Sequence, residues 1–313
     1  VKNESLIVDI SLVGNTSFIG QINEMDIDYN DGVLRNTKTM DKDLVSVCVP
    51  TFNGAQFIKQ TLESILGQTY AQLEVIIQDD GSTDNTMEIV RSFADPRITV
   101  RTSPENLGGA SNWNAATSSY RGKYVKVVCQ DDLLDKNCIE QEVRTLNANP
   151  KAAFCWSRRR VINQSGRTIM NSIGGRSNGE IQYFHDGIRR VVRGGKNPFG
   201  EPCCVMMKSE VFAKTDGFAG KYLIDFQMWL QLWERGGAVA TGKTMSSFRI
   251  SSTSWTSKLR GTHANEMADF LHSLRGSLDG VTRFDVTRGV FLAKVREKMR
   301  ILVIILSSTR STP

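Results

Sequence analysis

From Leu44 to about Val128, short apolar runs alternate with helical ones, and every apolar run ends in a polar loop. Residues 44–49 form a β-branched stretch that stops at Pro50, which suits a buried strand. Ile58, Leu62, Ile65 and Leu66 then recur on one face of a helix. Further strands are predicted over 73–77, 98–100 and 124–128. Between and after them come helices marked by Met87, Ile89, Val90 and Phe93, by the Gly-opened stretch 106–119, and by 136–147. Such alternation implies right-handed crossovers. The expected fold class is α/β: a Rossmann-like, mostly parallel sheet flanked by helices.

The second half reads as mixed. Strands over 152–156 and 161–169 flank a turn at Gln164-Ser165-Gly166, followed by a helix over 183–192 and a strand over 203–207. A helix over 225–234 is stopped by Gly236-Gly237, and a last strand covers 245–250. The expected layout is an extension over 1–43, a main domain over 44–260 divided near residue 135, and a helical extension over 261–313. The extension carries eight acidic and four basic side chains, including the oxygen-rich stretch from Asn23 to Asp31. That stretch lacks the spacing and closing Glu of a calcium loop, so a solvated, partly flexible arm is expected.

In an open parallel sheet the carboxyl ends of the strands share one rim, where ligands bind. The loops expected there are Thr51-Phe52-Asn53, the run from Asp79 to Asp84, Asn106-Leu107-Gly108-Gly109 and Asp131-Asp132. The second loop reads as a βα turn with Ser82 or Asp84 capping the next helix. It also reads as a nucleobase site in which Asp80 faces an imide N–H and Gly81 lets the backbone come close. Asp131-Asp132 places two carboxylates directly after an apolar strand. They repel unless a cation lies between them and a phosphate, and Mg2+ or Mn2+ suits that task. The alternative is a pair of surface turn carboxylates. Asp225 heads a helix, as an N-cap or as a general base for a hydroxyl beside a cleft.

The net charge of +6 on 313 residues fits an anionic small ligand or an acidic membrane surface and does not by itself argue for nucleic acid. Six cysteines without a CxxC pair argue against structural zinc, and a reducing cytoplasm is expected. No basic stretch followed by an apolar core marks a signal peptide, and no 18-residue apolar run exists to span a bilayer.

These loops resemble glycosyltransferase family 2, enzymes of the GT-A fold. The resemblance rests on the stretch from Val45 to Asn53, Ser64-Ile65-Leu66-Gly67-Gln68-Thr69, the run from Asp79 to Asp84, Asn106-Leu107-Gly108-Gly109 and Gln130-Asp131-Asp132. A weaker match extends through Gly200-Glu201-Pro202, the Asp225 helix and Phe248-Arg249-Ile250. It implies an inverting transfer from a nucleotide diphosphate sugar (UDP-, dTDP- or GDP-linked) to a glycan or lipid-linked acceptor hydroxyl, in polysaccharide or glycoconjugate assembly. The half over 44–135 would bind the nucleotide and 136–260 the acceptor. Donor contacts would come from Pro50, Phe52, Asn53, Asp80, Asn106, Gly108, Asp131 and Arg249. Asp132 would bind Mn2+ or Mg2+, and Asp225 would be the catalytic base. The chain departs from the family at Trp113-Asn114, where many relatives place Arg, and at Arg249-Ile250-Ser251, which lacks a common His. Phosphate closure would then rest on Arg249, helped by Lys258, Arg260 or His263.

Two other functions compete. A sugar-phosphate nucleotidyltransferase wants a basic Gly-rich loop after the first strand, which Phe52-Asn53-Gly54-Ala55 does not offer. A non-catalytic nucleotide-sugar binder predicts loss of a metal or base carboxylate, yet Asp132 and Asp225 are present. Finally, Phe291, Val295, Met299, Leu302 and Leu306 recur at helical spacing among basic residues in the tail. Such a helix lies on an anionic membrane, at the cytoplasmic face, or packs on the main domain or on a second copy in a homo-oligomer.

Overall fold

The backbone of the first expected strand ends at Thr51, that of the second at Asp79 and that of the third at Thr102, and these three residues stand side by side in register. The structure, a computed structural model, describes residues 27–30, 33–36, 41–175, 179–251, 262–274, 278 and 280–309. Its contacts divide into two units, 1–42 and 43–313. In the first, β1 (Ile27–Asn30) and β2 (Val33–Asn36) pair antiparallel. Most of the acidic run considered above lies outside the described residues.

The second unit holds β3 (Asp41–Thr51) from residue 43 on, then α1 (Ile58–Leu66), β4 (Leu73–Asp79), α2 (Thr86–Arg91), β5 (Ile98–Thr102), α3 (Gly109–Ala116) and β6 (Gly122–Val127). β3, β4 and β5 pair in parallel, as the strand-helix alternation predicts. Every residue of β4 is buried, the pattern of a strand covered on both faces. Ile58, Leu62 and Ile65 of α1 are buried as its periodicity requires. Next come β7 (Leu133–Leu134), α4 (Cys138–Ala148), β8 (Ala152–Ile162), β9 (Thr168–Ile173), β10 (Ile181–Gln182) and α5 (Phe184–Gly194). The unit ends with β11 (Val205–Lys208), α6 (Ser209–Phe212), α7 (Ile224–Arg235), β12 (Gly237–Arg249), α8 (His263–Ser273) and α9 (Arg283–Thr309).

The large sheet runs β10-β12-β8-β11-β6-β3-β4-β5. Its second half is mixed, with β8 and β12 parallel while β11 runs antiparallel to both β6 and β8. Three expectations for this half need correction. β8 does not break after Trp156 but continues through Arg158, Arg159 and Arg160 to Ile162, so Val161 and Ile162 belong to it and the next strand, β9, starts only at Thr168. The three guanidinium groups find Ser172, Glu201 and Asp135, so the basic run stays in the strand. β12 begins at Gly237, eight residues before 245, because its first residues already pair with β8. The strand expected from 203 begins at Val205, since Pro202–Cys204 form a 3-10 turn.

Candidate active site

The first and fourth loops are clasped together. Phe52 N–H donates to Gln130 Oε1 at 2.8 Å, and Gln130 Nε2 donates back to the Phe52 carbonyl at 2.9 Å. A Cβ on Gly54 would stand 2.3 Å from Gln130 Oε1, so the clasp needs glycine there. Asn53 takes a left-handed φ of 48°, its amide donates to Ser82 Oγ, and its Oδ1 accepts from Thr83 N–H. The first loop is thereby tied to the second as well. Pro50 is buried in β3, and Phe52 stands 40% exposed beside the clasp.

The turn reading of the Asp79–Asp84 loop has a counterpart, whereas the Asp80 carboxylate meets backbone amides of the chain itself. Asp79 turns the chain by accepting from Ser82 N–H and Oγ–H, and Asp84 accepts from Thr86. Asp80 reaches across to the third loop. Its Oδ1 accepts from Leu107 N–H at 2.7 Å, its Oδ2 from Gly108 N–H at 3.0 Å, and Asn106 Nδ2 donates to its carbonyl. Gly108, at φ 81°, opens α3 there. Trp113 and Asn114 hold Phe218: Trp113 packs edge-on against its ring and Asn114 bonds its backbone.

Asp132 is fully buried. Its Oδ1 accepts from the Arg249 backbone N–H at 3.0 Å, the Cys203 thiol lies close enough to favour its charged form, and its Oδ2 accepts from no N–H or O–H. Burial first, then the Asp131 carboxylate, push its pKa well up; burial also raises that of Asp131. A buried carboxylate oxygen without a partner is costly, and a hard divalent cation relieves that cost. The donor set therefore fits Mn2+ or Mg2+. Among the described residues no group of three or more His, Cys, Asp or Glu could hold an ion alone, so donor phosphates and water would complete its shell.

Arg249 is not placed as a phosphate ligand. Buried at the end of β12, it donates from Nε to the Asp131 carbonyl, from Nη1 to the Asn163 and Gln164 carbonyls, and from Nη2 to Gln60 Oε1. Those bonds make it the fastener of the Asp131–Asp132 turn. Lys258 and Arg260 lie outside the described residues. His263 is buried edge-on to Tyr222, and burial, then Arg300, lower its pKa to about 3, so it carries no charge for a phosphate.

Asp225 sits one residue inside α7 and makes no side-chain cap, so it is not the N-cap. Its Oδ1 accepts from Phe226 N–H, and its Oδ2 from Asn197 Nδ2 at 3.2 Å. Burial first, then the nearby Glu201 carboxylate, push its pKa up to about 7. Glu201 itself pairs with Arg159 of β8. The Cys129 thiol connects the two ends of the site. Besides desolvation of this half-buried thiol, the charges of Asp132 and Asp131, three and two residues further on, and of Asp225 and Glu201 from the second half of the chain raise its pKa, so both pairs of acids act on one sulfur. Asn197, Arg159 and Glu201 were given no role on sequence grounds. The Gly200-Glu201-Pro202 match and the basic run inside an apolar stretch were the available signals.

Comparison with known proteins bears on the family and the fold. A family model described as glycosyl transferase family 2 matches residues 46–215. The chain is 30% identical to chondroitin synthase of Pasteurella multocida (strain Pm70) over 197 residues, 62% of this chain and 19% of that one. A hyaluronan synthase of Pasteurella multocida matches equally, so the chain spans only 19% of the length of these two relatives. It is 26% identical over 220 residues to the Escherichia coli UDP-Glc:alpha-D-GlcNAc-diphosphoundecaprenol beta-1,3-glucosyltransferase WfgD, covering 70% of this chain and 81% of that one. Among solved structures, S. aureus TarS 1-349 in complex with UDP-GlcNAc superimposes with a TM-score of 0.59 at 18% identity, covering 75% of this chain and 68% of that one. The mannosyltransferase PcManGT from Pyrobaculum calidifontis in complex with GDP-Man and Mn2+ gives 0.59 at 19% identity, covering 86% and 76%. At such identities the superpositions speak for the fold alone, which is GT-A.

Proposed function

This chain belongs to glycosyltransferase family 2, and from that premise we propose that it is an inverting, metal-dependent transferase moving a sugar from a UDP-, dTDP- or GDP-linked donor to an acceptor hydroxyl in polysaccharide or glycoconjugate assembly. The observation that carries this reading is the buried, unpartnered Oδ2 of Asp132 sharing the Cys129 neighbourhood with Asp225. In this reading Phe52 and Asp80 receive the nucleoside, and Asn53, Asn106 and Gly108 keep the loops around it in place. Mn2+ or Mg2+ held by Asp132 beside Asp131 would offset charge growing on the departing diphosphate. Asp225, oriented by Asn197, takes the acceptor proton, and the oxygen attacks from the side opposite the leaving group. The non-catalytic alternative is not favoured, because an idle binder has no use for a poised buried base. The test is a panel of nucleotide sugars with purified protein and Mn2+, read as nucleoside diphosphate release. Release from no donor, with or without glycan or lipid-linked acceptors, would refute the reading.

Two smaller effects follow from the geometry. Gly54→Ala puts a methyl group into Gln130 and should raise the donor KM about tenfold with kcat within about twofold, measured by initial rates. Asn197→Ala removes a hydrogen bond to ionised Asp225 and should move the acid limb of the pH–rate profile up by roughly one unit. Glu201→Gln removes a repelling charge and should move the same limb down. Shifts of the same sign for both variants would break this account.

A further inference from the structure

The tail helix α9 is built with its small and polar residues inward and its large apolar residues outward. Its inner face carries Asp285, Val286, Gly289, Ala293 and Glu297, all buried. Gly289 meets the backbone of Val192 and Gly195 so closely that a Cβ could not fit. Polar bonds complete the seam: Asp285 pairs with Arg189 and Arg193, Arg296 donates to the Gly194 carbonyl, and Arg300 donates to Tyr222 Oη. The opposite face shows Phe284 at 68%, Phe291 at 64%, Val295 at 38% and Met299 at 63% exposure. At 100° per residue these four fall within one narrow stripe. Exposed Arg288 lies within the stripe, exposed Lys298 and Lys294 flank one edge of it, and both acidic residues of the helix are on the buried side.

We infer that this stripe docks on the surface of an anionic lipid bilayer, with the apolar side chains in the interface and the lysine stems reaching past them to the headgroups. The catalytic unit does not cover the stripe, since α9 already rests on α5 through its other face. A second copy fits poorly. A twofold contact through the stripe would set Lys294 and Lys298 of one chain against the same lysines of the other. In sequence, Ile301-Leu302-Val303-Ile304-Ile305-Leu306 is an unbroken apolar run, a composition that suits hydrocarbon. Among the described residues no helix is long and apolar enough to cross a membrane, so the helix lies in the interface plane. The Arg300–Tyr222 bond ties this surface to the loop just before Asp225. The inference does not depend on which sugar or acceptor the site uses.

The test is sedimentation of the full chain with vesicles of phosphatidylcholine alone, or of equal parts phosphatidylcholine and phosphatidylglycerol. The wild-type chain should pellet with the mixed vesicles and remain in solution with phosphatidylcholine. Phe291→Glu combined with Met299→Glu should weaken partitioning by more than about tenfold, and Lys294→Glu with Lys298→Glu by roughly fivefold per residue. All four positions are exposed, so melting temperature and donor turnover in solution should match wild type. Wild-type chain that stays in solution with both vesicles overturns the inference. So does a Phe291→Glu/Met299→Glu variant that pellets like wild type, or a wild-type dimer that the same variant splits into monomers.

Discussion

Asp132→Asn should lower kcat/KM by about a thousandfold and at the same time raise the melting temperature of the metal-free protein. The two signs come from one fact. Asp132 is buried, its Oδ2 has no partner, and its pKa is raised above that of an unfolded carboxyl. A raised carboxyl contributes stability only while protonated. That contribution is complete below the unfolded value of 3.8 and is lost as pH rises through the folded value, so near neutrality the ionised group burdens the fold. Asparagine keeps an acceptor for the Arg249 N–H and removes the charge. The cation's contribution to the departing diphosphate, several kcal/mol, disappears with that charge. Thermal melts separate this from a structural role. Mn2+ with a nucleoside diphosphate should raise the wild-type melting temperature and leave that of the variant unchanged. A variant that melts lower and still responds to Mn2+ would place the cation elsewhere.

The nucleotide half of the fold is legible in sequence because its forces are local. The buried strands of that half are mainly apolar, with Glu74 and Lys126 as buried exceptions, and each polar loop begins at a strand end, as at Thr51 and Asp79. The second half resists such reading because its residues are satisfied by distant partners. Nothing near Arg159 in sequence shows that Glu201 neutralises it, so a strand crowded with cations looks like a break. The same holds inside the site. Asp131, Asp132 and Asp225 were legible as candidates from strand ends and helix position, and the charge of Asp225 acts on the same Cys129 thiol as those of its sequence neighbours Asp131 and Asp132. That the Asp80 carboxylate is engaged by two amides of the third loop, and the Arg249 guanidinium by carbonyls 118, 86 and 85 residues away, was not legible. In α9 the apolar stripe was visible, but its direction was not. Gly289 decides that, since only its side allows the close approach to α5.

Asp225→Asn should reduce transfer by about a thousandfold while nucleotide affinity stays within about twofold of wild type, as measured by calorimetric titration. Asparagine conserves shape, but it cannot take a proton from the acceptor. The distinguishing measurement is the pH dependence of kcat/KM, which reports groups of the free enzyme. A base must be ionised to act, and burial with Glu201 alongside sets its pKa near 7. Wild-type kcat/KM should therefore be flat above about pH 7 and fall tenfold per unit as pH drops below it. The residual activity of the variant should lack that limb, because the titrating group is gone. Glu201→Gln in the same assay keeps the limb and displaces it downward, which a merely structural Asp225 would not do. A limb that persists unchanged in Asp225→Asn would assign the proton to another group around Cys129.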